Sequence, residues 1–196
     1  FTPLTSLLFA EICEEIGLPP GVLNVVTGDG RTGEALVKHE DVDKIAFTGS
    51  TEVGKKIAAG ASKNLKKVSL ELGGKAPNII FDDADLEAAI AGAALAGYFN
   101  EGQCCVNGSR LYVQRDVFDQ VVEGVAAAAK AITVGDAFDP ATTMGPLVSQ
   151  EQHEKVMGYV RGAVTDGASI VAGSPDPAAE RGYFFSPTLI TDVTEQ

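Results

Sequence analysis

The chain has 196 residues, of which 45% are hydrophobic, so it is long and apolar enough to form a sizeable globular core. Its formal net charge of −12, from 27 acidic and 15 basic residues, argues against a surface for nucleic acid or anionic membranes. No apolar run approaches the ~20 residues of a membrane-spanning helix, and no signal peptide is recognisable. The one basic cluster, formed by Lys63, Lys66 and Lys67, is expected to be a solvated face.

The cysteines and histidines limit the class of protein further. Three cysteines, two of them adjacent, do not form a disulfide framework, so we expect a reducing, cytoplasmic compartment. His39 and His153 stand at unrelated positions and are expected at the surface, which argues against a metal site. The chain begins at Phe1 without an initiator methionine, so we expect an internal or processed segment of a longer protein.

Helical and strand-like patterns alternate in the first part of the chain. Apolar residues recur at helical spacing from Leu4 to Ile12, and Gly17 ends this predicted helix. The strands and helices that follow are predicted, in chain order, at residues 22–26, 32–37, 44–47, 52–59 and 67–72. Such alternation predicts a parallel, doubly wound α/β sheet, in which ligands bind at the carboxyl ends of strands. Two glycine-bearing turns, at residues 28–30 and 49–54, are predicted at such ends.

The adjacent glycines Gly73 and Gly74 interrupt this pattern, and we place a domain boundary there, between residues 1–72 and 73–196. The second part is again mixed, with helices predicted at residues 85–98, 118–129 and 150–166. Strands are predicted at residues 77–81, 111–113, 169–171 and 184–190, and an irregular loop at 135–146.

Residues 102–110 place two cysteines on a polar, glycine-flanked loop between a predicted helix and a predicted strand. A thiol on such a loop is positioned as a nucleophile would be, whereas buried structural cysteines usually lie in apolar runs. Cys104 and Cys105 have nearly identical neighbourhoods, so the local sequence does not rank them. Cys13 lies inside a predicted helix beside acidic residues, and we interpret it as structural.

Residues 47–54 predict a strand, a turn and the start of a helix. Backbone N–H groups at the start of such a helix could hold an anion, such as the pyrophosphate of a dinucleotide. The spacing of Gly49 and Gly54 is neither the G-x-G-x-x-G fingerprint nor a P-loop, so an ordinary strand–helix turn is the alternative.

Glu71 lies near the end of a predicted strand, just before the two glycines. Among Val68, Leu70 and Leu72 its carboxylate should be partly desolvated, which would raise its pKa and suit a general base. The alternative is a glutamate at a strand end that forms a salt bridge with Lys75.

Four stretches together resemble the NAD(P)-dependent aldehyde dehydrogenase superfamily: residues 18–26, 47–51, 71–75 and 99–105. The resemblance covers essentially the whole chain, but well under half of a typical family member. It implies an α/β, aldehyde-dehydrogenase-like fold. Residues 1–72 would be the C-terminal part of a Rossmann-type cofactor domain, and residues 73–196 the N-terminal part of the α/β catalytic domain.

The resemblance also implies residue roles. Cys105 matches the family nucleophile and Glu71 the general base, whereas Asn107 departs from the small residue usual at its position. The positions that match the cofactor site are Gly30, Phe47, Gly49, Ser50, Val53 and Gly54. The cofactor would be NAD or NADP, the partner a small-molecule aldehyde, and the assembly a homo-oligomer, either a dimer or a tetramer.

The implied activity is that of an oxidoreductase that converts an aldehyde to a carboxylic acid through a cysteine thiohemiacetal and a thioester. Family members carry an oxyanion-hole asparagine, ribose-binding residues and a Glu-x-Phe-Gly-Pro segment that have no match in these 196 residues. Two alternatives therefore remain: a truncated, non-catalytic fragment and a relative that transfers the acyl group to CoA. Neither the identity of the aldehyde nor a preference for NAD or NADP follows from the sequence.

Overall fold

The computed structural model describes residues 2–194, and the chain divides into two compact units between Gly73 and Gly74. The first unit contains α1 (Leu4–Glu15), α2 (Gly30–Lys38), β1 (Lys44–Gly49), α3 (Thr51–Ala61) and β2 (Lys67–Leu72). The second contains β3 (Pro77–Ile80), α4 (Leu86–Tyr98), β4 (Arg110–Val113), α5 (Phe118–Ala131), α6 (Gln150–Thr165), β5 (Ser169–Ala172) and β6 (Leu189–Thr191).

The first unit is built on a strand–helix–strand motif. β1 and β2 pair in parallel, from Lys44 opposite Lys67 to Gly49 opposite Leu72, and α3 connects them and packs on both. A parallel pair requires such a crossover, because the chain must return to the same end of the sheet. The predicted strand–helix alternation is therefore confirmed for β1, α3 and β2, and the buried Gly54 of α3 lies against Leu72 of β2.

The predicted strand at residues 22–26 is wrong. These residues form no strand with any described part of the chain, and Val22 and Val26 are exposed rather than buried. A short apolar run becomes a strand only where another strand accepts its backbone hydrogen bonds, and a sequence pattern cannot supply that partner. The turn at residues 28–30 consequently does not follow a strand.

The core of the second unit is formed where β3 and β4 meet α4 and α5. The two strands pair in parallel, with Asn78 opposite Leu111. Buried residues recur along α5 at four-residue spacing, which keeps them on one face of the helix. Ile80 of β3 and Ala93 of α4 belong to the same buried cluster as Val121 and Val125 of α5.

The last part of the second unit departs from a uniformly parallel sheet. β5 and β6 are antiparallel, with Ile170 opposite Ile190 and a register shift just after it. The predicted strand at residues 184–190 is wrong over most of its length, because only Leu189–Thr191 pairs. Phe185 is nonetheless buried, packed with Leu147 in an irregular segment, so its apolar character reflects core packing instead of strand pairing.

Two polar side chains expected at the surface are buried. Lys66 is only 9% exposed, and its Nζ donates to the carbonyls of His39 and Val42, the latter at 2.6 Å. His153 is 8% exposed, with its Nε2 3.2 Å from the carbonyl oxygen of Phe184. Both predictions failed because partners distant in sequence compensate the burial of each polar group.

Within residues 2–194, no helix is long and apolar enough to cross a membrane. In the same described range, no cluster of three or more His, Cys, Asp or Glu side chains is arranged to hold a metal ion.

Candidate active site

The turn between β1 and α3 is organised by Ser50. Its Oγ accepts a hydrogen bond from the N–H of Val53 at 3.3 Å, and its carbonyl accepts one from Gly54 at 2.9 Å. A serine at the N-cap satisfies N–H groups that the first turn of a helix otherwise leaves free. This local chemistry ends β1 at Gly49 and starts α3 at Thr51.

Both glycines of this turn are closely packed. A Cβ on Gly49 would clash with Cζ of Phe47, and one on Gly54 would lie 2.7 Å from Cδ2 of Leu72. The turn therefore has glycine at two positions where a side chain would displace either the Phe47 ring or the end of β2. Phe47, Gly49, Ser50, Val53 and Gly54, all predicted to line a cofactor site, lie together here.

The start of α3 presents unpaired backbone donors. No hydrogen bond within residues 2–194 occupies the N–H groups of Thr51 and Glu52. The Glu52 carboxylate forms a 2.6 Å ion pair with Lys56, and the hydrogen bond from Lys56 lowers the pKa of Glu52. Because this negative charge is neutralised one helical turn along, the N-terminus remains suitable for an anion.

Gly30 occupies a different turn. It is the exposed first residue of α2, with open space where a side chain would be. The helix is capped by Asp29, whose carboxylate accepts from the N–H of Arg31 at 2.9 Å and lies 2.8 Å from its guanidinium. The hydrogen bond from the Arg31 side chain lowers the pKa of Asp29. Gly30 is thus outside the turn that holds the other predicted cofactor residues.

Glu71 is exposed at the end of β2, and the expectation that it is desolvated by neighbouring apolar residues is wrong. Side chains alternate along a strand, so Leu70 and Leu72 are half-buried on one face while Glu71 is on the other. Among the described residues it forms no ion pair with Lys75, whose Nζ donates to the carbonyl of Gly74 at 3.3 Å. The alternative of a salt bridge between Glu71 and Lys75 is therefore not found among the described residues.

The predicted cysteine loop begins with a reversal of the chain after α4. Asn100, Glu101 and Gly102 all have positive φ, at 52°, 55° and 73°. Asn100 and Gln103 then bond reciprocally, since the Gln103 N–H donates to the Asn100 carbonyl at 2.8 Å and the Asn100 amide donates back at 3.1 Å. The loop is therefore an ordered structure.

The two cysteines differ in exposure. A turn is closed by a 3.3 Å hydrogen bond from the N–H of Asn107 to the carbonyl of Cys104. Cys105 lies at the corner of this turn and is exposed, whereas Cys104 is half-buried. The tertiary structure thus distinguishes two thiols that the local sequence does not rank, because Cys105 is the exposed member of the pair.

The end of this loop is pressed against the rest of the second unit. A Cβ on Gly108 would lie 3.0 Å from that of Asn78 in β3 and 3.5 Å from that of Ala96 in α4. Asn107 is 7% exposed, and its Nδ2 has no hydrogen-bond partner among the described residues. Asn107 is thus a buried residue two positions after Cys105, and not a substitution at the surface.

Sequence reasoning assigned no role to Glu101 and Gln103. The Oε1 of Glu101 accepts from the N–H of Gly145 at 3.1 Å, and that of Gln103 accepts from Val148 at 3.0 Å. The available signal was two acceptor side chains on either side of Gly102. Their partners are 44 and 45 residues away, so no local pattern identifies them.

A family model described as the aldehyde dehydrogenase family matches residues 1–196. The chain is 51% identical to human mitochondrial aldehyde dehydrogenase and 45% identical to betaine aldehyde dehydrogenase from Rhizobium leguminosarum. Each match covers 99% of this chain, but only 38% and 40% of the respective relatives. The chain therefore spans about two fifths of the curated relatives that it matches.

Solved structures agree with the sequence comparison. An NAD+ complex of aldehyde dehydrogenase from Bacillus cereus has a TM-score of 0.95 and 46% identity, over 98% of this chain and 39% of that one. A betaine aldehyde dehydrogenase from Staphylococcus aureus in complex with NAD+ has a TM-score of 0.91 and 41% identity, with the same coverage. The architecture described above is thus similar to a contiguous part of these enzymes.

Proposed function

The chain belongs to the aldehyde dehydrogenase family, and from this premise we propose that it carries the nucleophile and the general base of an oxidoreductase. The complete protein would oxidise an aldehyde to a carboxylic acid with NAD+ or NADP+. The observation that carries the proposal is Cys105, an exposed thiol at the corner of an ordered turn. Because the chain spans about 39% of its relatives, this activity is proposed for the complete protein.

Cys105 would act as the nucleophile. Its thiolate attacks the carbonyl carbon of the aldehyde and forms a thiohemiacetal, because a thiolate is the reactive form of cysteine. Loss of hydride from that adduct leaves a thioester on Cys105. The exposure of Cys105 supports its access to substrate, and the half-buried Cys104 would support the turn.

Glu71 would complete the reaction as general base. Its carboxylate removes a proton from water, and the resulting hydroxide attacks the thioester carbonyl, which releases the carboxylic acid and restores the Cys105 thiolate. Its exposed position and lack of an ion pair with Lys75 support this role. A base that activates water favours hydrolysis over acyl transfer to CoA.

The cofactor pyrophosphate would bind at the start of α3. The free N–H groups of Thr51 and Glu52 and the close-packed glycines of the turn fit a bound phosphate. Phe47, Gly49, Ser50, Val53 and Gly54 would form this surface, and Gly30 a separate part of the cofactor site. Bound NAD or NADP would supply the hydride acceptor.

The wider biological setting is also part of the proposal. Residues 1–72 would contribute to a cofactor-binding domain and residues 73–196 to a catalytic domain. The complete protein would be a cytoplasmic homo-oligomer, a dimer or a tetramer, that acts on a small-molecule aldehyde without nucleic-acid or membrane partners. The net charge of −12 supports the last point, because anionic surfaces would repel the chain.

The decisive experiment uses the complete protein that contains these residues. Aldehyde-dependent formation of NADH or NADPH is measured for the wild type, Cys105→Ala and the matched control Cys104→Ala. We expect Cys105→Ala to lose on the order of 10⁴-fold or more in kcat and Cys104→Ala to remain active. Full activity in Cys105→Ala would overturn the proposal.

A second variant separates hydrolysis from CoA transfer. Glu71→Gln cannot activate water, so we expect one rapid equivalent of reduced cofactor followed by slow turnover, as the thioester accumulates. Added CoA should not restore turnover. Rapid release of acyl-CoA would instead favour the CoA-acylating alternative, and an inactive wild type would favour the non-catalytic one.

A further inference from the structure

The chain enters the cysteine loop through an unfavourable backbone conformation. Asn100 and Glu101 have φ of 52° and 55°, in the left-handed region, which carries a steric cost for residues other than glycine. Gly102 continues the same turn without that cost. Such a conformation persists only where the surrounding structure holds it.

Two side-chain oxygens hold this turn. Glu101 accepts a hydrogen bond from the N–H of Gly145 at 3.1 Å, in a partly buried position, and Gln103 accepts one from Val148 at 3.0 Å. The two bonds bracket Gly102 and end immediately before the cysteine pair. We call these two hydrogen bonds, with their four residues, the loop clamp.

The segment that contains the donors of the loop clamp, Gly145 and Val148, is itself held in place. Met144 and Leu147, each adjacent to one of the donors, are 7% and 5% exposed. The N–H of Met144 donates to Thr133 at 3.0 Å, and that of Leu147 donates to Tyr183 at 2.9 Å. The segment that supplies the donors is therefore anchored independently of the cysteine loop, which allows it to serve as a reference position for that loop.

The loop also has space into which it could relax. A cavity of about 210 Å³ within the second unit is lined by Glu101, Gly102, Gly145 and Leu147, among others. If the loop clamp were lost, close packing alone would not keep the left-handed turn in place. The loop clamp consequently fixes the side of the Cys105 turn that precedes the cysteines, whereas the packing of Gly108 holds the side that follows them.

We propose that Glu101 and Gln103 are positioning residues, which hold the Cys105 turn in its reactive geometry through the backbone N–H groups of Gly145 and Val148. This inference rests on the proposed role of Cys105 as nucleophile. A displacement of about 1 Å at a reacting group can reduce the rate about 10²-fold, so two peripheral hydrogen bonds suffice for a large effect on catalysis.

The test uses the complete protein and two kinds of variant. One kind removes the hydrogen-bond acceptor, and the other keeps an acceptor oxygen but changes the charge of the side chain. Gln103→Leu and Glu101→Leu remove the acceptors, whereas Glu101→Gln and Gln103→Glu retain an Oε1 at each site. We expect each leucine variant to reduce kcat by about 10- to 100-fold with little change in the KM for the cofactor. The acceptor-retaining variants should stay within about threefold of wild type under the same conditions.

Val121→Ala provides the control for a purely structural effect. It truncates the fully buried Val121 in the same unit without touching the loop clamp, so it should lower thermal stability yet leave kcat unchanged. Equal losses of kcat in Val121→Ala and Gln103→Leu would overturn the inference. So would wild-type kcat in Gln103→Leu when Cys105→Ala is inactive, whereas activity in Cys105→Ala would instead refute the underlying function.

Discussion

Glu71 lies directly opposite Thr48 in the parallel pair of β1 and β2. Residues in register on adjacent strands share a face, and both of these are exposed while Phe47 and Leu70 face inward. The candidate base and the candidate cofactor turn therefore lie at one end of the same strand pair. Substitutions in the turn at residues 49–54 therefore change the same end of the sheet that carries Glu71.

Gly54→Ala tests the close contact between α3 and β2. The new Cβ would lie 2.7 Å from Cδ2 of Leu72, so Leu72 must shift. Gly33→Ala, in α2, is the matched control because nothing lies near its Cβ position. Both changes gain helix propensity, so the difference between them isolates the steric cost.

We expect Gly54→Ala to be about 1–3 kcal/mol less stable than Gly33→Ala in denaturant unfolding of the complete protein. We also expect weaker cofactor binding, measured by calorimetry, in Gly54→Ala alone. Equal stability and affinity in the two variants would mean that the contact with Leu72 is unimportant.

Ser50 allows the helix cap to be separated from anion binding. Ser50→Ala removes the acceptor for the N–H of Val53 and should cost about 1 kcal/mol in stability. Ser50→Asp keeps an acceptor but adds a negative charge where a pyrophosphate would bind. It should retain stability while reducing NAD(P) affinity by at least about tenfold. Undiminished affinity in Ser50→Asp would place the phosphates elsewhere.

Gly108→Ala tests the packing of the cysteine loop on β3 and α4. Its Cβ would lie 3.0 Å from that of Asn78, so the loop or the strand must move by a few tenths of an ångström. We expect a loss of about 1–3 kcal/mol in stability and a slower reaction of Cys105 with iodoacetamide. Gly92→Ala, in α4, places its Cβ in open space. It should neither lower the stability of the protein nor slow the reaction of Cys105 with iodoacetamide.

Because Tyr98 is partly buried, we predict that it contributes to a loss of stability at high pH. Burial raises the pKa of the Tyr98 phenol above its ordinary value of about 10. The protonated phenol therefore contributes fully to the free energy of unfolding below pH ~10, the pKa of tyrosine in the unfolded chain. That contribution is lost as the pH rises through the higher pKa of the folded state. Tyr98→Phe should flatten that alkaline decline in unfolding experiments, whereas an unchanged decline would assign it to other groups.

The strand–helix motif of the first unit could be predicted because its determinants are contiguous. Ser50 caps the helix that follows it, and apolar alternation gives β2 the same bounds in sequence and structure. Residues 22–26 have an equally apolar pattern but form no strand, because pairing depends on a partner that local sequence does not specify. The same alternation places Glu71 on the opposite face of β2 from Leu70 and Leu72. The apolar character of these neighbours had suggested instead that the Glu71 carboxylate is desolvated.

The sequence by itself determined the family and a loop with two candidate thiols. It also predicted a domain boundary at Gly73 and Gly74. The tertiary structure decided that Cys105 is exposed and Cys104 half-buried. It also decided that hydrogen bonds spanning 44 and 45 residues hold the loop. The physical reason is range: propensity, capping and alternation act over a few neighbouring residues, whereas exposure and the partner of a buried polar group depend on segments that only folding brings together.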